Sequence, residues 1–461
     1  MLGFWVILYL IVTLMAGLAA IRLIKNSKDF LSAGRQLPFA LSSFALFAFW
    51  YGSETVFGAS SEFIKHGFLG VIEDPFGGFL CLMLFGLIFV RPLYRKNILT
   101  LGDLFRERYG QKIEIVASSF MLLSFFGYVA AQLIALSILF ESVFGLPSIY
   151  GIMLSAVIVT SYTAGGGMWA ISITDFIQSI VIVSGLVFLV TYLSGQVDMD
   201  LVFNAPKEGF FDFYPKNAPI GDWLKYLAAW LTLGLGSLAS QDIFQRANAA
   251  KSEKVAVRST YFGAILYLIF AMLPLYLGLL IYQLDPDLAT GNTEYSLMAL
   301  VKNHAPVWLQ VFFYGALISA IFSTCSGSLL APSSLMSENI IKPLFFKNPT
   351  DKQFLLISRI SVVIVAIIAT YIASMQTSIY DLVAESSILG LVAILVPMSS
   401  ALFLKSASKL GAVLSMVFGL FSYLYFEYVN PIHIPAMMIG FTFSVFGMAI
   451  GFLRKKWQVN Q

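Results

Sequence analysis

Residues 48–55 read Ala48-Phe49-Trp50-Tyr51-Gly52-Ser53-Glu54-Thr55, a polar run with a glycine, set inside the otherwise apolar segment 38–63. That segment is long enough to cross a hydrocarbon core of about 30 Å as a helix. An ionisable group at such depth costs about 2.5–3.5 kcal/mol on insertion scales, so Glu54 must face a cavity or a partner. It serves there either as a contact for a substrate or coupling proton, or as a structural carboxylate bonded to a neighbouring helix. Gly52 is what a local unwinding would need, freeing backbone carbonyls to coordinate a cation; close helix packing is the other use of a glycine at that point.

Outward from this run the chain remains a membrane protein. Of its 461 residues 59% are hydrophobic and only 11% charged, against about 25% charged in soluble chains. The apolar runs are longer than the ten-residue alternating segments of a membrane barrel, so the spanning elements are helices. Window length gives about thirteen of them: residues 3–21, 38–63, 70–90, 115–139, 148–163, 168–193, 223–240, 261–281, 307–336, 354–373, 379–404, 411–425 and 434–452. With the N-terminus outside, only Lys65, Lys207, Lys216, Lys225 and Lys302 fall on the outer side, which leaves 23 of the 28 Lys and Arg inside. That asymmetry supports an odd helix number with N-out and C-in. The net charge of +3 comes from these spaced loop residues and gives no basic tract for nucleic acid. The first run lacks a basic start and a small-residue cleavage site, which predicts a retained helix. The outer loop 196–222 is either a plain connection or a small cap over a vestibule.

The expectation is one transmembrane transporter domain over 1–461: a leading helix (3–21), a first block of five helices (38–193), a second (223–404) and two trailing helices (411–453). Five is odd, so the second and seventh segments run in opposite senses, as an inverted repeat demands. No clear sequence identity links the two blocks.

The ninth segment carries a hydroxyl-rich turn, Ala320-Ile321-Phe322-Ser323-Thr324-Cys325-Ser326-Gly327-Ser328. Such hydroxyls usually bond the carbonyl four residues back. Ser323 and Thr324 nevertheless lie one turn beyond Ala320, so two side-chain oxygens and a carbonyl can point at one spot, which suits sodium. The seventh segment holds Gly234-Leu235-Gly236-Ser237 and then Ser240-Gln241-Asp242, where Gln241 is a hydrogen-bonding candidate or simply part of a polar helix end. Tyr128 and Gln132, four apart, share one face of the fourth segment. The histidines His66, His304 and His433 fall at outer ends of spans without metal-pair spacing. Cys81 and Cys325 lie in apolar runs, and no phosphate-cradling glycine loop with lysine exists. The sequence therefore predicts no enzyme and no cofactor beyond a coupling ion.

Five stretches, residues 32–37 (SAGRQL), 99–110 (LTLGDLFRERYG), 162–178 (YTAGGGMWAISITDFIQ), 241–251 (QDIFQRANAAK) and 320–340 (AIFSTCSGSLLAPSSLMSENI), resemble the sodium:solute symporter family in order and over nearly the whole chain. The resemblance implies an all-α, leucine-transporter-like fold with two inverted five-helix repeats. It also implies sodium between the second and ninth segments, held by the carbonyls of Ala48, Tyr51 and Ala320 and the hydroxyls of Ser323 and Thr324. Asp175 matches a carboxylate linked to sodium release in relatives, or serves a structural ion pair. Residues 50–61 and Glu73-Asp74-Pro75 look like the choline branch, with Trp50 where one cage aromatic sits. Ser240 and Val383 stand where further cage aromatics would be. Tyr128 resembles a substrate-contacting tyrosine of the proline branch, and Glu54 a glutamate of the sugar branch. The solute-binding candidates are thus Trp50, Ser53, Glu54, Thr55, Tyr128, Gln132, Ser240 and Gln241. The expected function is sodium-coupled symport of a small organic solute across the inner (plasma) membrane of a bacterium, with an amino acid or other amine preferred. Quaternary ammonium, sugar and carboxylate solutes are the alternatives, and a sodium-independent uniporter, channel or sensor the rival classes; the tail after Phe452 leaves no room for a signalling module. Membrane lipid is the one further partner expected, and the oligomeric state is open.

Overall fold

A computed structural model of the chain describes residues 2–204, 206–346, 348–375 and 378–459. Lys347, counted above on the inner side, lies outside the described residues. The principal helices are α1 (Leu2–Ala19), α2 (Phe39–Trp50), α3 (Ala59–His66), α4 (Gly78–Leu84), α5 (Leu101–Tyr109), α6 (Gln111–Phe144), α7 (Ser148–Ser194), α8 (Ile220–Gly236), α9 (Gln241–Asn248), α10 (Glu253–Leu284), α11 (Ser296–His304), α12 (Val307–Leu335), α13 (Asp351–Ala373), α14 (Ile379–Leu389), α15 (Lys409–Leu424) and α16 (Ala436–Val459). Among the described residues, β pairing is limited to an isolated bridge between Leu37 and Ala250.

Among the described residues, ten helices are long and apolar enough to cross a membrane, and two of these, Glu54–Lys96 with 43 residues and Ser148–Ser194 with 47, exceed the length of one crossing. Each is broken: the first at Gly67 and at the extended Asp74, the second at Gly167. Apolar length is therefore legible in sequence, whereas the bends that divide it are set by single residues. Several further helices occupy stretches expected only as loops, three of which matter here. α5 is started by a capping box between Thr100 and Asp103, which satisfies two of its free amides. α11 lies in the outer connection, and Met199–Asn204 forms a turn and a half of helix within loop 196–222. That loop packs down on its neighbours: Phe210 is buried against Phe63, and its carbonyl accepts from the Phe68 amide at 3.0 Å.

Loop contacts group at two ends. At one, Ser27 donates to Asp351 at 2.5 Å, Arg95 pairs with Glu253 at 2.8 Å, and Arg108 donates to the Leu404 carbonyl at 2.5 Å. At the other, Lys207 donates to the Lys65 carbonyl at 3.0 Å and Gln196 to that of His304 at 3.4 Å. In the middle stands α12, buried at every position of 313–335. A helix that is buried all round belongs at the centre of a bundle, and the hydroxyls of α12 are thereby held away from water.

Candidate functional site

Two spanning helices are interrupted at mid-length. α2 ends at Trp50, Tyr51 leaves helical geometry (φ −93°, ψ 63°), and helical winding resumes at Glu54. Gly52 sits in the gap because a Cβ there would stand 2.5 Å from a Glu54 oxygen and 2.9 Å from the Thr324 methyl. α8 ends at Gly236, and after a short turn Ser240 is extended (φ −85°, ψ 134°) before α9 begins.

At the first gap, Thr324 on α12 joins the helices. Its hydroxyl lies 2.8 Å from the Phe49 carbonyl, 3.4 Å from that of Ala48 and 3.2 Å from that of Ala320. The Ala48 and Ala320 carbonyls and the Thr324 hydroxyl therefore come together, and Tyr51 lies in the adjoining gap. Ser323 is turned to another partner, donating to Asp175 at 2.6 Å. Asp175 in turn lies 3.6 Å from Arg246, with both side chains essentially inaccessible. Arg246 also donates to the Ala45 carbonyl at 3.1 Å and stacks 4.0 Å over Phe49. A buried carboxylate and guanidinium compensate each other's lost hydration in this way.

Glu54 closes a second network. Tyr128 donates to one of its oxygens at 2.8 Å and Gln132 to the other at 3.0 Å, while the Gln132 carbonyl accepts from the Ser53 amide at 3.1 Å. The face shared by Tyr128 and Gln132 on α6 is thus aimed at the break. Asp74, quoted above only for its resemblance, forms a third network: it accepts from Thr55 at 2.9 Å and from the Tyr267 hydroxyl.

A cavity runs along these groups. Trp50, Glu54, Tyr128 and Ser240 line it, together with Phe49, Asp74, Asp242 and Phe125, and Val383 is on its wall. Ser53, Thr55, Gln132 and Gln241 are not among its lining residues. Each is tied to a neighbour instead; Gln241 accepts from the Leu101 amide at 2.8 Å and so anchors the start of α5.

Residues 30–419 match the sodium:solute symporter family. The chain belongs to the sodium:solute symporter family. Its activity is accordingly sodium-coupled symport of a small solute, and it is a multi-pass membrane protein. The human high affinity choline transporter 1 is 26% identical over 434 residues, covering 90% of this chain and 75% of that protein. The high-affinity proline transporter PutP of Bacillus subtilis (strain 168) is 27% identical over 432 residues, covering 88% of each chain. In architecture the chain is similar to a Na+-coupled sialic acid symporter in its substrate-bound outward-open state, with a TM-score of 0.83 at 20% identity over 98% of each chain. It is also similar to MhsT in complex with L-phenylalanine, with a TM-score of 0.56 at 13% identity over 91% of this chain and 99% of that one. The expected leucine-transporter-like fold of this symporter is thereby met.

Sequence reasoning about this symporter missed the parts played by Asp74, Tyr267 and Asp242. Asp74 sits at the start of an apolar segment, where a carboxylate reads as a helix end at the membrane surface. Only the return of α10 past it, bringing Tyr267, makes it a cavity group. The available signal was two adjacent acids, Glu73-Asp74, beside a proline in an otherwise apolar stretch.

Proposed function

We propose that this symporter moves a small amine-bearing solute, of which an amino acid is the preferred type, together with sodium across the plasma membrane, N-terminus outside and C-terminus inside. The observation that carries the solute class is the cavity wall. Glu54, Asp74 and Asp242 line it beside Phe49, Trp50 and Tyr128, and no Lys, Arg or His is among its lining residues. Carboxylates backed by aromatic faces favour a cationic nitrogen.

Sodium is a cargo ion in this reading. The carbonyls of Ala48, Tyr51 and Ala320 and the hydroxyls of Ser323 and Thr324 offer it an all-oxygen site of low net charge. Bound there, it fastens the broken α2 to α12 and fixes the geometry of the Tyr51–Glu54 gap, one residue from the solute. Solute then binds better with sodium present, and by linkage sodium binds better with solute. Asp175 supports release: it already accepts from Ser323, so it can draw that hydroxyl away from the ion as the helices part. Trp50, Glu54, Tyr128 and Ser240 touch the solute, while Ser53, Thr55, Gln132 and Gln241 hold those groups in place. The paired interruptions, in α2 and between α8 and α9, head the two five-helix blocks, as an inverted repeat with its site at mid-membrane would have them.

A quaternary ammonium solute is the second reading, favoured by Trp50 and by the relation to choline transporters. The test is uptake into proteoliposomes under an inward sodium gradient, with labelled proline, other amino acids, choline, sugars and carboxylates. Sodium-dependent accumulation of an amine, lost in Ser323→Ala/Thr324→Ala, is the expected result. Uptake of a sugar or carboxylate alone would remove the amine reading, and uptake indifferent to sodium and to the double substitution would remove the sodium site.

A further inference from the structure

The two carboxylates flanking the break in α2 have matching surroundings. Glu54 accepts from Tyr128 at 2.8 Å, and the Tyr128 ring lies 5.9 Å from that of Phe49. Asp74 accepts from Tyr267, whose ring lies 5.9 Å from that of Trp50. Phe49 and Trp50 are consecutive, so they diverge to opposite flanks of the helix end, one towards α6 and the other towards α10. The result is two poles in one cavity, whose wall includes Glu54 with Phe49 and Tyr128, and Asp74 with Trp50, while Tyr267 stands behind Asp74.

Among the described residues, neither pole has a cationic partner. Their hydrogen bonds come from tyrosine, threonine and serine hydroxyls and a glutamine amide. Asp242 differs, having Arg246 one turn along the same helix. The proposed sodium ligands Ala320, Ser323 and Thr324 are not part of the cavity wall. Nor does one multivalent ion suit the poles: among the described residues, no three His, Cys, Asp or Glu gather to hold a metal. An independent observation points to a ligand here. Trp50 is 6% exposed, and its indole N–H has no hydrogen-bond partner among the described residues. A buried unpaired donor of this kind costs about 1–3 kcal/mol until an acceptor arrives.

We propose that the solute is a small molecule with two ammonium groups, one seated at Glu54, Phe49 and Tyr128 and the other at Asp74 and Trp50. The inference rests on the amine reading above and narrows it. Two sources share this chemistry, a linear diamine and a basic amino acid, and the Trp50 donor separates them because only the amino acid brings a carboxylate acceptor.

The test is binding to the purified full-length protein, read from the ligand dependence of its thermal unfolding in NaCl and in KCl, with cadaverine, lysine, choline and proline as probes. Cadaverine or lysine is expected to bind at least ten-fold more tightly than choline and proline, in NaCl only. Asp74→Asn is expected to reduce that preference about ten-fold. If Trp50 meets a solute carboxylate, lysine will exceed cadaverine. Choline or proline binding most tightly in NaCl would overturn the two-ammonium solute while leaving the amine reading intact. Binding of none of the four would overturn both. Should Asp74→Asn not fold, the order of the four probes on the unsubstituted protein still decides, and a preference unchanged in a folded Asp74→Asn would also overturn the proposal.

Discussion

Thr324 shows how much one hydroxyl carries: it lies within 3.4 Å of three carbonyls on two helices. Its loss removes one proposed sodium ligand and leaves the Phe49 carbonyl without its donor. Thr324→Ala should therefore raise the sodium concentration for half-maximal solute uptake by about ten-fold, corresponding to roughly 1.4 kcal/mol, while Thr324→Ser should stay close to the parent. Sodium titration of uptake separates the two, and equal behaviour of both variants would remove Thr324 from the site. Gly327 offers a steric test. A Cβ there would lie 2.0 Å from one Arg246 nitrogen and 2.7 Å from another, and Arg246 is held by Ala45 and Asp175. Gly327→Ala should destabilise the protein by about 1–3 kcal/mol, the usual range for overpacking. Gly221→Ala, where nothing lies within 4 Å, should leave the unfolding midpoint unchanged. Legibility divides along the same line. Thr324, Ser323 and Glu54 could be read because each interrupts an apolar stretch of its own helix. Asp74 could not, because its partner Tyr267 is 193 residues away.

Among elements, α5 was the least visible in sequence, since its nine residues carry four charges and read as an inner loop. Its place is fixed by Asn339, beyond the end of α12. The Asn339 amide donates to Asp103 at 3.1 Å and to Glu114 at 2.8 Å, and its carbonyl accepts from Thr100 at 2.6 Å. Arg106 adds ion pairs to Asp103 at 2.8 Å, Glu114 at 3.4 Å and Glu338 at 3.9 Å. Since α12 carries Ser323 and Thr324, this cluster couples α5 to the helix of the proposed sodium ligands. Asn339→Ala would leave Asp103 and Glu114 facing each other without the bridging amide, and buried groups deprived of a partner cost about 1–3 kcal/mol. Amide hydrogen exchange within Leu101–Tyr109 should then rise several-fold while that of α10 stays as in the parent. Unchanged exchange in α5 would mean that Gln241, which also anchors it, is sufficient.

At the scale of the whole molecule, apolar length and charge asymmetry made the membrane architecture readable, because both are set by the bilayer and not by any one partner. The bends at Gly67, Asp74 and Gly167 were less readable, since a single residue decides each. The proposed orientation rests on the rule that basic residues concentrate on the cytoplasmic side, and the contacts that join Arg95 to Glu253 and Lys207 to Lys65 sort the loops into two ends. Native cysteines give a quiet background for testing this, because Cys81 and Cys325 are both buried. Lys65 and Lys225 have 43% and 77% of their side-chain surface exposed at one end, and Arg95 has 70% exposed at the other. A membrane-impermeant maleimide added to intact cells should label Lys65→Cys and Lys225→Cys, and should reach Arg95→Cys only after permeabilisation. The reverse pattern would invert the molecule and place the proposed cap of loop 196–222 on the cytoplasmic face. Labelling of all three in intact cells would break the two-ended grouping itself, and with it the mid-membrane position of the Tyr51–Glu54 gap.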